Sequence, residues 1–183
     1  MSESRRFLFK LLSLLLQYPD TGLKSAFSDL EELSSKLSER SAELICRRFL
    51  PYLQTTPLLR AQEYYTQTFD LSPESCLYLT WHRWREGEER GRDLARLLRI
   101  YRQAGYECVS KDLPDYLPLV LEFASVCPGD SGFGLLSKFS PEIEKLRVRL
   151  QESGSPYAGL LALLAEAVTE PQQEDRRRDD ELG

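Results

Sequence analysis

Asp115 and Glu122 are the first residues whose types and spacing could do chemistry. Seven positions apart, on a helix they share one face to within about 20°. Two such carboxylates can divide acid and base roles. They can also form an acidic lip for a basic peptide, or be the polar edge of a helix buried on its other side. Periodicity alone does not choose among these.

Other constellations are weaker. Gly129-Asp130-Ser131-Gly132 resembles the nucleophile loop of chymotrypsin-like proteases. That chemistry needs a histidine base beside the serine on a β-barrel, and the sole histidine, His82, stands in a leucine-rich helical sequence. Gly132-Phe133-Gly134 lacks the third glycine and the preceding strand of a dinucleotide site. His82 has no cysteine or carboxylate at ligand spacing and reads as structural or surface-exposed. Trp81-His82-Arg83-Trp84-Arg85 suggests an RNA patch, but Glu86, Glu88 and Glu89 cancel most of its field. Cys46, Cys76, Cys108 and Cys127 lie too far apart for a zinc ligand set. A disulfide framework is not expected either, because a chain of 183 residues can build its core without staples. Free thiols of this kind fit a reducing cytoplasm.

Helices must position these groups. The chain holds 34 Leu against 5 Val and 3 Ile. Leucine loses little freedom in a helix, whereas β-branched residues favour strands, so the composition predicts an all-α fold. Phe7, Leu8, Leu11, Leu12, Leu15 and Leu16 repeat at helical spacing, as do Leu23, Phe27, Leu30, Leu33 and Leu37. A segment over 41–54 carries Pro51, which is expected to kink or shorten it. Thr56-Pro57, Ser72-Pro73 and Ser155-Pro156 read as helix starts, Asp112-Leu113-Pro114-Asp115 as another, and Ser140-Pro141 as a break. Gly105 sits where a left-handed cap ends the helix that carries Leu94, Leu97, Leu98 and Tyr101.

Net charge is −5, which disfavours a nucleic-acid module. From Glu170 onward six acids and three arginines give −3, leaving −2 for the body. The expected organisation is a single-domain bundle of about eight to ten helices over 1–169 and a disordered charged tail over 170–183. No run of 18 apolar residues is present to insert into a membrane. Ser4-Arg5-Arg6-Phe7-Leu8-Phe9-Lys10 imitates a twin-arginine export signal. Lys10 interrupts its apolar stretch and no small-residue cleavage site follows, so a plain first helix is expected instead.

An ordered set of motifs adds a resemblance. Leu16-x-Tyr18-Pro19-Asp20 is followed by Tyr65-x-x-x-Phe69-Asp70, Leu77-Tyr78-Leu79-Thr80, Arg90-Gly91 and Tyr101-x-x-x-Gly105. Last comes Leu113-Pro114-Asp115-Tyr116-Leu117-Pro118-Leu119-Val120-Leu121-Glu122-Phe123. Over roughly residues 11–164 the chain resembles the NarJ family. These are the delta subunits of respiratory nitrate reductases, within the TorD/DmsD-like class of redox-enzyme maturation chaperones. Two positions depart from the family pattern: Tyr116 stands where histidine is usual, and Glu88 where another arginine is usual.

The resemblance implies an all-helical cytoplasmic assembly factor that is not an enzyme and has no cofactor of its own. Its implied partner is the apo catalytic, molybdopterin-bearing subunit of a respiratory reductase, often taken by its N-terminal leader-like peptide. The subunit is held competent for insertion of molybdenum bis(guanine dinucleotide), and the chaperone acts as monomer or dimer. A helix-in-groove contact would set apolar side chains of that peptide against Tyr65, Phe69, Tyr78 and Phe123, with Asp115 and Glu122 receiving its positive charges. Asp70, Tyr116 and Pro118 belong to the same expected site, with Arg90 pairing to Asp115. The alternatives are a small helical enzyme using Asp115 and Glu122, and a generic helical scaffold.

Overall fold

The computed structural model describes residues 1–109 and 111–169; the expected tail at 170–183 lies outside the described residues, as does the Cys46 side chain. The chain opens with α1 (Glu3–Leu15), α2 (Thr21–Ser25) and α3 (Phe27–Ser35). One long run then joins α4 (Glu39–Ala42), a π-helical stretch (Glu43–Phe49) and α5 (Leu50–Thr55). A second run joins α6 (Leu58–Tyr65) to a π-helical turn (Thr66–Asp70). There follow α7 (Leu79–Trp84), α8 (Glu88–Gln103), α9 (Leu117–Val126), α10 (Ser131–Lys138), α11 (Ser140–Glu152) and α12 (Ala158–Thr169). The all-α expectation holds. No helix among the described residues is long and apolar enough to cross a membrane.

Two helices form the centre because they are apolar nearly all round. In α9 Leu117, Val120, Leu121, Phe123 and Ala124 are buried, and in α12 Leu160, Leu161, Leu163, Leu164 and Val168 are. α1 lays Phe9, Leu12 and Leu15 against them, and α10 and α11 close the other side. Gly132 lets α10 cross α9 closely, since a Cβ there would lie 2.5 Å from the Ala124 Cα. Tyr157 plugs the space before α12, its ring 5.1 Å from Phe49 and 5.0 Å from Phe69.

Prolines mark boundaries, though not always the expected ones. Phe139 separates α10 from α11, as Ser140-Pro141 suggests. Pro51 does not end its run; the wide π turns before it carry the chain past a residue that donates no hydrogen bond. The start signals at Ser72-Pro73 and Asp112–Asp115 are overridden. There the chain instead forms an antiparallel bridge between Tyr78 and Tyr116, with Leu79 N–H on Asp115 C=O at 3.1 Å and Leu117 N–H on Leu77 C=O at 2.8 Å. These pairings hold the two segments extended, so α7 begins at Leu79 and α9 at Leu117.

The twin-arginine look-alike is engaged within the fold. Arg6 donates to the carbonyls of Ser125, Cys127 and Gly129, where the end of α9 leaves acceptors without helical partners. The Arg5 guanidinium lies 4.9 Å over the Phe133 ring.

Candidate functional site

The Tyr78–Tyr116 bridge places two aromatic side chains on one wall of a cleft of about 370 Å³. The lining is Gln17, Tyr18, Tyr65, Asp70, Tyr78, Asp112, Tyr116, Pro118, Leu119 and Glu122. Four tyrosines and three carboxylates face this space, and no lysine, arginine or histidine is among the lining residues. The chain end after α1 brings Gln17 and Tyr18, the π turn after α6 brings Asp70, and the first turns of α9 bring Pro118, Leu119 and Glu122.

The tyrosine wall is tightly bonded. Tyr65 is 2% exposed and donates to the Leu16 carbonyl at 2.9 Å. Its oxygen lies 2.8 Å from the Tyr116 hydroxyl. Burial pushes the Tyr65 phenol far above its ordinary range and the Tyr116 phenol up to about 12. Burial also raises Tyr78, whose hydroxyl makes a long 3.5 Å contact to Asp112. Lys10 of α1 reaches over the rim to pair with Glu122 at 2.6 Å, with both side chains nearly half exposed.

A second groove of about 410 Å³ continues along α9, sharing Leu119 and Glu122 with the first. It is more apolar, lined by Tyr101, Tyr106, Phe123 and Val126 together with Glu107, Cys108 and Val109. Some exposed apolar residues line these grooves: Val109, 91% exposed, and Val126 in the second, and Tyr18 in the first.

Of the ten residues singled out in the sequence, Tyr65, Asp70, Tyr78, Tyr116, Pro118 and Glu122 meet in the first cleft, and Phe123 lies in the second. Phe69 does not reach either lining; it is 2% exposed and packs its ring 4.8 Å from Tyr65. Asp115 is corrected most. It precedes α9 rather than sharing a helical face with Glu122, it is 0% exposed, and it lines neither groove. It therefore cannot meet a peptide's charge directly, and the two acids form no acid–base pair.

Asp115 instead anchors the wall. Its Oδ2 accepts from the Thr80 N–H at 3.0 Å and the Thr80 hydroxyl at 2.5 Å, at the first turn of α7. Arg90 sits 3.9 Å from the same oxygen and donates to the Thr80 hydroxyl at 3.2 Å, so the expected Arg90–Asp115 pairing runs chiefly through Thr80. Asp115 Oδ1 has no hydrogen-bond partner. The carboxylate and guanidinium thus stand behind Tyr78 and Tyr116 and hold their bridge.

His82 is part-buried on α7, and its Nε2 donates to the Cys76 carbonyl at 2.7 Å. Burial lowers its pKa and raises that of the Cys76 thiol. Cys76, Cys108 and Cys127 are free thiols. Among the described residues no group of three or more His, Cys, Asp or Glu side chains is placed to hold a metal ion. Sequence reasoning left out Tyr18, Asp112, Leu119 and Tyr101 as site residues. Tyr18, Asp112 and Tyr101 lie in segments that stood out for helix boundaries or family motifs, but their convergence is a property of the tertiary fold.

Comparison with known proteins accords with this architecture. A candidate redox enzyme maturation protein from Archaeoglobus fulgidus superposes with a TM-score of 0.65 at 23% identity, covering 90% of this chain and 94% of that one. The Bacillus subtilis (strain 168) protein named probable nitrate reductase molybdenum cofactor assembly chaperone NarJ is 32% identical over 170 residues, 91% of each chain. The Escherichia coli (strain K12) nitrate reductase molybdenum cofactor assembly chaperone NarJ is 34% identical over 157 residues, 84% of this chain and 66% of its own length. These relatives are named as assembly chaperones rather than catalysts, in keeping with an expected non-enzyme. Residues 28–163 match the family model described as nitrate reductase delta subunit, and the chain belongs to that family.

Proposed function

We propose that this protein is a cytoplasmic chaperone for the apo catalytic subunit of a respiratory molybdoenzyme, a nitrate reductase or a close relative. It binds that subunit through the N-terminal peptide and holds it open for molybdenum cofactor insertion and complex assembly. The observation that carries this reading is the paired groove along α9: a tyrosine cleft with Asp70, Asp112 and Glu122 and no basic lining residue, continuing into an apolar trough at Phe123 and Val126.

That combination suits an amphipathic helix bearing a cationic residue. Apolar side chains would lie on Phe123, Val126 and Leu119, and the cation would reach Glu122 and the cleft beyond it. A charge-assisted hydrogen bond contributes about 1.5–3 kcal/mol where partly buried. With apolar burial at about 25 cal/mol per Å², a short helix can bind without a large interface. Asp115 and Arg90 take part by holding Tyr78 and Tyr116 in place.

The test is calorimetric titration with 20-residue N-terminal peptides of nitrate reductase catalytic subunits. Binding is expected, weakened about tenfold by Glu122→Gln together with Asp70→Asn. Absence of binding to every such peptide, with client maturation in cells unchanged in the double variant, would sink the reading.

A further inference from the structure

Protons in the tyrosine wall can be assigned one by one. The Leu16 carbonyl follows the last turn of α1, where helical partners run out, and it has no proton to give. Tyr65 has one, and at 2.9 Å it goes to Leu16. The Tyr65–Tyr116 contact of 2.8 Å must then be filled by the Tyr116 proton, because two hydroxyl oxygens at that distance share one hydrogen. The reverse order would leave the Leu16 carbonyl facing the Tyr65 oxygen, lone pair to lone pair, in a site 2% exposed.

Tyr116 is half-buried and lines the cleft. With its proton turned inward, its oxygen keeps lone pairs only. Tyr78 points its proton toward Asp112, and the carboxylates of Asp70, Asp112 and Glu122 add acceptors to the lining. The lining side chains that still carry protons to offer, Gln17 and Tyr18, are exposed ones. We infer that the relay Tyr116→Tyr65→Leu16 makes Tyr116 a specificity-determining residue that selects, on the wall of this cleft, a group that only donates: a guanidinium or ammonium cation. This deepens the peptide-binding reading by naming the residue that selects the cation, and it rests on that reading only for the cation's being part of a polypeptide.

Two small probes separate the points. Agmatine carries a guanidinium; N-carbamoylputrescine carries a neutral ureido group in its place, with a carbonyl that would face the lone pairs of Tyr116 and the carboxylates. In NMR titrations followed at the Tyr65 and Tyr116 ring signals, agmatine is expected to bind at least tenfold more tightly. General attraction to the acids favours agmatine too, so the decisive arm is Tyr116→Phe, which removes the acceptor and leaves every carboxylate. It is expected to weaken agmatine about 3- to 10-fold and the neutral compound less than twofold, while Tyr65→Phe, which returns a free proton to Tyr116, narrows the discrimination. Equal affinity for the two probes overturns the inference, as does unchanged agmatine binding in a folded Tyr116→Phe protein. If agmatine behaves as expected and no client peptide binds, the peptide reading fails and the cation site stands.

Discussion

Replacing Asp115 by alanine tests whether this residue holds the cleft wall from behind or contacts a ligand. The side chain is 0% exposed, and its Oδ2 accepts two hydrogen bonds from Thr80 with Arg90 beside it. Each bond to a charged acceptor contributes about 1.5–3 kcal/mol. Truncation also strands the Thr80 N–H and hydroxyl and leaves the Arg90 guanidinium without its counter-charge. Removing one partner of a buried pair costs about 3–5 kcal/mol, and that figure is the expected loss. For a chain of this size it lowers the melting temperature by about 6–20 °C. Asp115→Asn keeps an acceptor for Thr80 but loses the charge facing Arg90, for an expected cost of about 1–3 kcal/mol. Urea unfolding followed by far-ultraviolet circular dichroism reads these values. A double-mutant cycle with Thr80→Val should return a coupling of at least about 1 kcal/mol. A loss below about 1 kcal/mol in Asp115→Ala, with peptide binding abolished, would refute the anchoring role and restore Asp115 as a direct contact.

Two further outcomes follow from particular contacts. Gly132→Ala drives a Cβ to 2.5 Å from the Ala124 Cα, so α9 and α10 must separate; thermal melts should show a loss of about 1–3 kcal/mol, and a neutral effect would mean the two helices are not held at this distance. His82 titrates below its ordinary value because burial disfavours the imidazolium. The unfolded state then binds the extra proton first, so stability is full above about pH 6.5 and declines as pH falls toward the depressed folded value. Urea midpoints from pH 5 to 8 should show this slope in the parent and lack it in His82→Gln; an identical slope in both would assign it to other groups.

Sequence alone was enough for the material of the fold. A leucine-rich, β-branched-poor chain with helical periodicity has one economical way to bury its apolar faces, and α1 and α8 appear where the stripes over 7–16 and 94–101 are. Local rules also located the break at Phe139 and the cap at Gly105, whose φ of 85° only glycine adopts without strain. The ordered motifs pointed to the right family because they mark the segments that now converge on the grooves.

Tertiary structure decided the roles. Nothing within 72–79 or 112–117 announces that the two segments will pair, since the hydrogen bonds of the Tyr78–Tyr116 bridge join residues about forty positions apart and override local helix-start signals. That pairing turns Asp115 inward to Thr80, so an acid that looked like a peptide contact becomes a support, while Glu122, seven residues on, remains at the surface beside Lys10. The proton order from Tyr116 through Tyr65 to Leu16 is likewise invisible in one dimension. It arises because the end of α1 leaves a carbonyl unpaired and the fold carries a buried phenol to it from 49 residues away.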